Sequence, residues 1–474
     1  MRIGRHFVQV GARRVHYRRA GRGPALLLVH QSPRSSAELE PLIAAWSDRF
    51  TCIAPDTPGF GQSDPLPGEP DIDDFAWALV QLLDALGLER TGAYGFHSGG
   101  TILVRVLHHA PERFSAVAIG GYAVWTEAER SVFASDAYLP PFRPQPYGEH
   151  LAWLWHRVLE QSWYFPWFAA DGAHRLPAPH ADPARVDAVV RDMLDAGDAY
   201  RAGYGAVLRA PRDLPEGPAL PPALITAYDG DPLQPHIDRL PTLPPGWAAK
   251  KLRTMDEHRA ASAEHLARHP APPAPPPVHA PDAGFVPVRA GGFDGLIHWR
   301  GDREAAEVHL HPPGGSAETL DAGAFRLDLP GHGLSDRWPA GASPDRRDWR
   351  AVVAAALETL GSRARPVGHG ATAALWTGEA VTAAAWPDLE PDRWGTYLHR
   401  AWGWARAAAA FDRPDAVSAP GARPIAPGAL EPERLARVHR ALIRARDAGK
   451  LWHGLGQGEE SHGHSRGHAA ARAA

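Results

Sequence analysis

The segment Gly95–Gly100, G-F-H-S-G-G, follows a short apolar run and precedes a stretch with helical periodicity, which places it on a tight strand-to-helix bend. Such a bend leaves no room for side chains two residues before and two residues after its apex, because a Cβ there would meet neighbouring backbone. Gly95 and Gly99 satisfy that spacing about His97. With Ser98 at the apex, the crowded position would fall on Phe96, whose ring does not fit. The spacing therefore predicts an imidazole, not a hydroxyl, at the tip of the bend. A neutral imidazole with an ordinary pKa of about 6.5 can act at pH 7 as a general base or as a nitrogen nucleophile. The competing reading is a spacer whose ring only lines a ligand pocket.

Holding an imidazole at such a tip requires a rigid frame. Leu26–Val29, Cys52–Pro55, Gly92–Gly95, Ala116–Gly120, Ala223–Ala227 and Lys250–Arg253 read as strands, while Phe75–Leu86 and Ile102–His109 carry apolar residues at helical spacing. Strands alternating with helices predict an α/β fold with a mostly parallel, doubly wound sheet whose ligands bind at the carboxyl ends of the strands.

Length and composition bound the rest. The 474 residues, 44% hydrophobic and 22% charged, suffice for two or three globular domains. A net charge of -4, with 50 basic residues interspersed among 54 acidic ones, argues against a nucleic-acid surface. The single Cys52 cannot form an internal disulfide and excludes a cysteine metal cluster. No apolar run reaches the roughly 18 residues that span a bilayer, and the charged start lacks a secretory leader's apolar stretch. A cytoplasmic protein without membrane contact is expected.

The ordered segments LLLVHQSPRSS, APDTPGFGQSD, GFHSGG and ITAYDGDPLQP resemble the α/β-hydrolase superfamily across residues 7 to 269, and within it a branch with H-Q-x-P-R-S and G-x-H-[ST]-G motifs. That resemblance implies an α/β-hydrolase fold with His97 in the nucleophile position, Asp231 of D-G-D-P in the place of the triad acid, and His258 in the place of the triad base, oriented by Asp231. It implies an oxyanion hole from the backbone amides of Ser98 and of the Gln31 or Ser32 region. Two departures stand out: Gln31 where H-G is common, and His97 where Ser, Asp or Cys is expected. The missing apex Asp argues against dehalogenase or epoxide-hydrolase chemistry through an alkyl-enzyme ester. His30 reads as a hydrogen-bonding brace beneath the oxyanion loop, at the pocket's edge. For His258, flanked by Asp256, Glu257 and Arg259, a solvated surface histidine is the competing reading.

Residues 124–212 fall where hydrolase-fold enzymes insert a helical cap. The aromatic run there makes Trp163 and Phe165 candidates for apolar pocket walls. The expected activity is cofactor-free and metal-free, on a small apolar or aromatic ester, amide or ketone. The rivals are lyase or isomerase chemistry on the same residues, or a ligand-binding pseudoenzyme.

A Pro-rich stretch, assigned as a linker over residues 270–284, separates two similar halves. Five segments recur in the same order, among them APDTPGFGQSD ending at Asp64 and LDLPGHGLSD ending at Asp336. The chain therefore reads as a hydrolase-like domain, residues 1–269, followed by a degenerate, truncated copy, residues 285–453. In that copy Gly370 takes the apex position and nothing corresponds to Asp231 or His258. Its missing strands would leave a sheet edge to be paired or covered, and a homodimer is one way to do so. Residues 454–474 read as a disordered tail, whose His462, His464 and His468 lack the fixed geometry of a metal site.

Overall fold

Runs without a polar face make the centre of the first sheet. β3 (Ala25–Val29, ALLLV), β4 (Thr51–Pro55, TCIAP) and β6 (Phe114–Gly120, FSAVAIG) are buried along their whole length, as strands covered by helices on both faces must be. The structure, a computed structural model, describes residues 2–455 apart from 134, 136, 378, 380, 382–385, 412–413, 415–420 and 423. Its contacts group the chain into two units, residues 1–143 with 154–280 and residues 144–153 with 281–474. No described helix is long and apolar enough to cross a membrane.

In the first unit β1 (Gly4–Val10) and β2 (Arg13–Ala20) form an antiparallel hairpin ahead of β3, α1 (Glu40–Trp46), β4, α2 (Ile72–Ala85), β5 (Thr91–Phe96), α3 (Ser98–His109) and β6. Four helices follow in the region expected to form the cap: α4 (Glu127–Phe133), α5 (Glu149–Gln161, whose residues from 154 on group with this unit), α6 (Pro183–Ala196) and α7 (Tyr200–Arg209). The unit closes with β7 (Ala223–Tyr228), β8 (Trp247–Leu252) and α8 (Met255–Arg268). The eight strands run in the order β1-β2-β4-β3-β5-β6-β7-β8, parallel from β4 onward. Leu79 and Leu83 of α2 and Leu103 and Val106 of α3 pack on one face, against Leu27, Val29 and Ile119. Ile43 and Trp46 of α1 and Leu266 of α8 pack on the other, against Leu26, Leu28 and Tyr94.

The Pro-rich stretch is not a free tether. Residues 270–280 group with the first unit and lie along its hairpin: Tyr17 Oη donates to the Val278 carbonyl at 2.7 Å, Arg19 Nη2 to the Pro275 carbonyl at 2.5 Å, and the Ala25 amide to the Pro272 carbonyl at 3.0 Å. Prolines lack a donor but keep a carbonyl, so such a segment serves as a row of acceptors.

The second unit contains β9 (Ala283–Ala290), β10 (Phe293–Arg300), β11 (Glu307–Leu310), β12 (Arg326–Leu327), α9 (Arg346–Leu360), β13 (Arg365–Gly368), α10 (Ala374–Thr377), α11 (Thr396–Ala410) and α12 (Pro432–Arg444). Its sheet order, β9-β10-β12-β11-β13, repeats that of β1-β2-β4-β3-β5. The polar brace beneath the loops repeats too. His16 Nδ1 meets Asp56 Oδ2 at 2.9 Å, while the His16 amide donates to Ser63 Oγ at 3.0 Å and the Arg14 amide to Asp64 Oδ2 at 2.8 Å. Correspondingly, His298 Nδ1 meets Asp328 Oδ2 at 2.7 Å, while the His298 amide donates to Ser335 Oγ at 2.9 Å and the Leu296 amide to Asp336 Oδ2 at 2.7 Å. Burial raises the pKa of Asp56, but His16, Arg18 and Ser36 outweigh it and hold the carboxyl below the usual range; Asp328 is held down in the same way by His298 and His311.

The face that α1 and α8 cover in the first unit has changed character in the second. By strand register, Leu26, Leu28 and Tyr94 correspond to Glu307, His309 and Val367. Glu307 pairs with Arg365, and His309 Nδ1 lies 3.0 Å from His369 Nε2. Among the described residues β13 pairs only with β11, yet this edge is four residues long and carries Arg365 and Pro366. Such features blunt an edge without a partner, so the exposed edge does not by itself call for a homodimer. At the chain's end residues 449–455 are helical, with Trp452 and Leu455 buried. The rest of the expected tail, including His462, His464 and His468, lies outside the described residues.

Gly61 and Gly333 sit at φ of 54° and 49°, where an added Cβ would come within 2.1 Å of Asp56 Oδ2 and 2.2 Å of Asp328 Oδ2. Gly61→Ala and Gly333→Ala should each lower stability by about 2–4 kcal/mol in urea denaturation. Changes below about 0.5 kcal/mol would show that the braces do not hold their loops.

Candidate active site

β5 ends at Phe96 and α3 begins at Ser98, so the chain reverses direction through His97 alone. His97 has φ 48° and ψ -107° and is the only described non-glycine residue with positive φ, a conformation costing roughly 1–3 kcal/mol that surrounding structure must hold in place. The expected glycine pattern has its physical cause here. A Cβ on Gly95 would lie 2.5 Å from the Gly99 carbonyl carbon, and one on Gly99 would lie 2.2 Å from the Val29 carbonyl oxygen. The second unit puts Gly370, at φ 57°, in the corresponding register.

The His97 ring stacks on Phe96, with centroids 4.1 Å apart, and its Nε2 lies 3.1 Å from Asp231 Oδ1. Asp231 follows β7 in the turn D-G-D-P, and its Oδ1 also accepts from the Leu233 amide at 2.8 Å. Burial raises its pKa, but His97 and the Leu233 amide outweigh that and keep the carboxyl ionised. An ionised carboxylate only accepts, so His97 Nε2 carries the proton and the lone pair of the neutral ring sits on Nδ1. Asp231 Oδ2 is buried without a hydrogen-bond partner among the described residues. Gly121, at φ 63°, makes room for the pair: a Cβ there would lie 2.7 Å from His97 Nε2 and 3.0 Å from Asp231 Oδ2.

His258 does not occupy the expected position beside Asp231. It lies on α8 and is fully buried, so it is not a surface histidine either. Its Nε2 is 2.9 Å from Tyr94 Oη and its Nδ1 is 2.6 Å from Thr226 Oγ1. Those two hydroxyls engage both ring nitrogens, and Asp231 is left to His97. Burial above all, with the charges of Arg259 and His97, lowers the pKa of His258 to about 4 although Asp231 pulls it upward; the ring is neutral at pH 7.

The oxyanion loop also departs from expectation. The Gln31 amide donates to Glu38 Oε1 at 2.8 Å and the Gln31 side chain donates to Glu38 Oε2 at 3.0 Å, so this amide is not free for a substrate. The Ser32 and Ser98 amides have no acceptor among the described residues. The Ser98 side chain is buried and makes no hydrogen bond to an imidazole among the described residues. His30 is a buried brace: its Nδ1 donates to the Gln31 carbonyl at 2.8 Å and its Nε2 accepts from the Thr57 amide at 3.0 Å. Beside Ser32 opens a cavity of about 370 Å³, walled by Val158, Gln161, Arg185, Val186 and Val189. Trp163 and Phe165, the expected walls, do not line it; Trp163 Nε1 donates to the His180 carbonyl at 2.7 Å, and Phe165 packs on Phe133 at 5.6 Å.

Tyr94, Thr226 and Glu38 were not singled out by sequence. The available signal for the first two was a hydroxyl inside an otherwise apolar strand, which when buried must find a partner.

The burial of His258 has a measurable consequence. Its folded pKa of about 4 lies below the unfolded value of about 6.5, so stability is full above pH 6.5 and falls as the pH drops toward 4, where the unfolded chain takes up the proton first. His258→Gln should remove up to about 3 kcal/mol of that acid-side loss, measured as urea midpoints between pH 7 and pH 4. Identical slopes in variant and wild type would contradict it.

Residues 24–146 match the family described as the alpha/beta hydrolase fold. Haloalkane dehalogenase 2 of Mycobacterium tuberculosis is 37% identical over 113 residues, 24% of this chain and 40% of that protein. Soluble epoxide hydrolase of a Corynebacterium species is 36% identical over 101 residues, 21% of this chain and 35% of that protein. The chain thus spans well under half the length of these relatives. Among solved structures, a hydrolase from Pseudomonas aeruginosa is 17% identical and covers 56% of this chain and 97% of its own, with a TM-score of 0.42. With a mostly parallel sheet and a residue held at positive φ between β5 and α3, the first unit has the α/β-hydrolase fold, and residues 24–146 are similar in sequence to the family of that name.

Proposed function

We propose that the first unit hydrolyses a small apolar or aromatic ester, amide or activated ketone, with His97 as general base and Asp231 as its orienting acid. The observation that carries this reading is the 3.1 Å contact of His97 Nε2 with the buried Asp231 carboxylate, at the site where the fold presents a side chain to its ligand. His97 Nδ1 takes a proton from water as the water oxygen attacks the carbonyl carbon. The imidazolium that forms is stabilised by Asp231, and the alkoxide by the amides of Ser32 and Ser98. Collapse of the tetrahedral intermediate breaks the bond to the leaving group, which takes the proton back from Nδ1. The halide and epoxide chemistry in the relatives' names is not carried over, because an imidazole at the bend cannot form their alkyl ester with a carboxylate.

Buried and neutral, His258 supports the underside of Phe96 and the strand ends, and is assigned a positioning role. The shared strand order and doubled His–Asp brace support reading the second unit as a copy of the first that kept its frame and lost the strands bearing the acid.

Turnover of phenyl acetate and p-nitrophenyl acetate is the test. His97→Ala should lose roughly 10²–10⁴-fold in kcat/KM, and Asp231→Asn at least roughly tenfold, since the ring loses its fixed tautomer. Ser98→Ala, which keeps the backbone amide, should retain most of the rate. Activity that survives His97→Ala but not Ser98→Ala would overturn the proposal in favour of an acyl-serine route; ligand binding without any turnover would favour a binding protein.

A further inference from the structure

Arg157, on α5 in the cap of the first unit, is 1% exposed. Its only hydrogen bond among the described residues runs from Nη1 to Gln161 Oε1, one helical turn on, at 2.7 Å. Nε and Nη2 are buried without partners, and no described carboxylate lies within ion-pair distance. Arg212, 8% exposed, also has Nε and Nη1 buried without partners among the described residues, but Arg157 is the more deeply buried of the two. Arg212 Nη2 caps the Val207 carbonyl at the end of α7, and Arg34 pairs with Glu38 and Asp192. Fully buried charges are ordinarily paired, because desolvation without a counter-charge is strongly unfavourable. The group missing around Arg157 is therefore an anion.

Its surroundings fit an organic anion. The guanidinium sits over the Trp167 ring at 5.7 Å, and its charge is felt by Tyr138, Tyr200 and Tyr204. Tyr138 Oη and Tyr204 Oη lie 2.8 Å apart, and burial keeps both phenols protonated, so one donates to the other and the second O–H is left to donate to a ligand. The open Nε/Nη2 edge is the side of a guanidinium that matches the two oxygens of a carboxylate. Gln161, which accepts from Nη1, also lines the 370 Å³ cavity beside Ser32, and no Asp or Glu is among the residues lining that cavity. Val158, Val186 and Val189 give that cavity an apolar wall.

We propose that Arg157 is the carboxylate-binding group of a ligand site in the cap, so that the substrate of the reaction proposed above carries a carboxylate on an apolar body. The second clause rests on the hydrolase reading; the first does not.

The test uses benzoate and phenylacetate as probes and uncharged benzamide as control, with binding followed by calorimetry and by the melting temperature at low salt. Benzoate should bind and raise the melting temperature of wild type and of His97→Ala alike, and benzamide should bind at least tenfold more weakly. Arg157→Met should weaken benzoate at least tenfold, with partial recovery in Arg157→Lys, while melting no lower than wild type without ligand, because it removes an uncompensated charge. Tyr138→Phe should weaken benzoate severalfold. Equal binding of benzoate and benzamide, unchanged benzoate affinity in Arg157→Met, or a melting temperature in that variant several degrees below wild type would overturn the proposal, the last by making Arg157 structural. Hydrolysis that needs His97 alongside Arg157-independent benzoate binding would remove this proposal alone; Arg157-dependent binding with no hydrolysis would remove the hydrolase reading alone.

Discussion

The site depends on one contact made from one strained residue: the Nε2–H of His97, held at positive φ, donating to a carboxylate buried behind it. Several absences of side chains exist to permit it. Gly95 and Gly99 let β5 and α3 meet, and Gly121 leaves the volume that the imidazole and Asp231 share. The carboxylate in turn fixes which ring nitrogen keeps its lone pair, which gives the base of the proposed reaction a defined direction. A hydroxyl at the same tip would need a second residue to activate it; an imidazole needs only an orienting acid. That difference accounts for a site in which the other nearby histidine is committed to Tyr94 and Thr226.

The two units separate the frame of this fold from its chemistry. Both keep a buried carboxylate, Asp56 or Asp328, that gathers a histidine and backbone amides beneath the strand ends. Among the described residues only the first has β6, β7 and β8 and a side chain at the bend. The second has polar residues where α1 and α8 would otherwise demand apolar ones, Glu307 and His309 in place of Leu26 and Leu28.

How much of this was legible in the sequence follows from how local each constraint is. The bend could be read because its sterics involve residues within two positions of the apex, and glycine spacing records them directly. The central strands could be read because burial on both faces leaves continuous apolar runs. The pairing of Asp231 with His97 rather than His258 could not be read, since it is decided by which hydroxyls, brought from β5 and β7, reach His258 first. The commitment of the Gln31 amide to Glu38 was hidden for the same reason, although only seven residues separate them. The cap's aromatic run suggested walls at Trp163 and Phe165; helix packing turned those rings elsewhere and left the cavity to residues with no compositional signature. Arg157 is the extreme case, because an unpaired buried charge is defined only by the absence of neighbours.

The central claim, that Asp231 holds His97 with its proton on Nε2 and its lone pair on Nδ1, is tested most directly by the ¹⁵N chemical shifts of the His97 ring at neutral pH. The account predicts a protonated Nε2 and a bare Nδ1 in wild type, giving way to a mixture of tautomers in Asp231→Asn. A proton residing on Nδ1 in wild type, or a tautomer indifferent to the loss of the carboxylate, would contradict it.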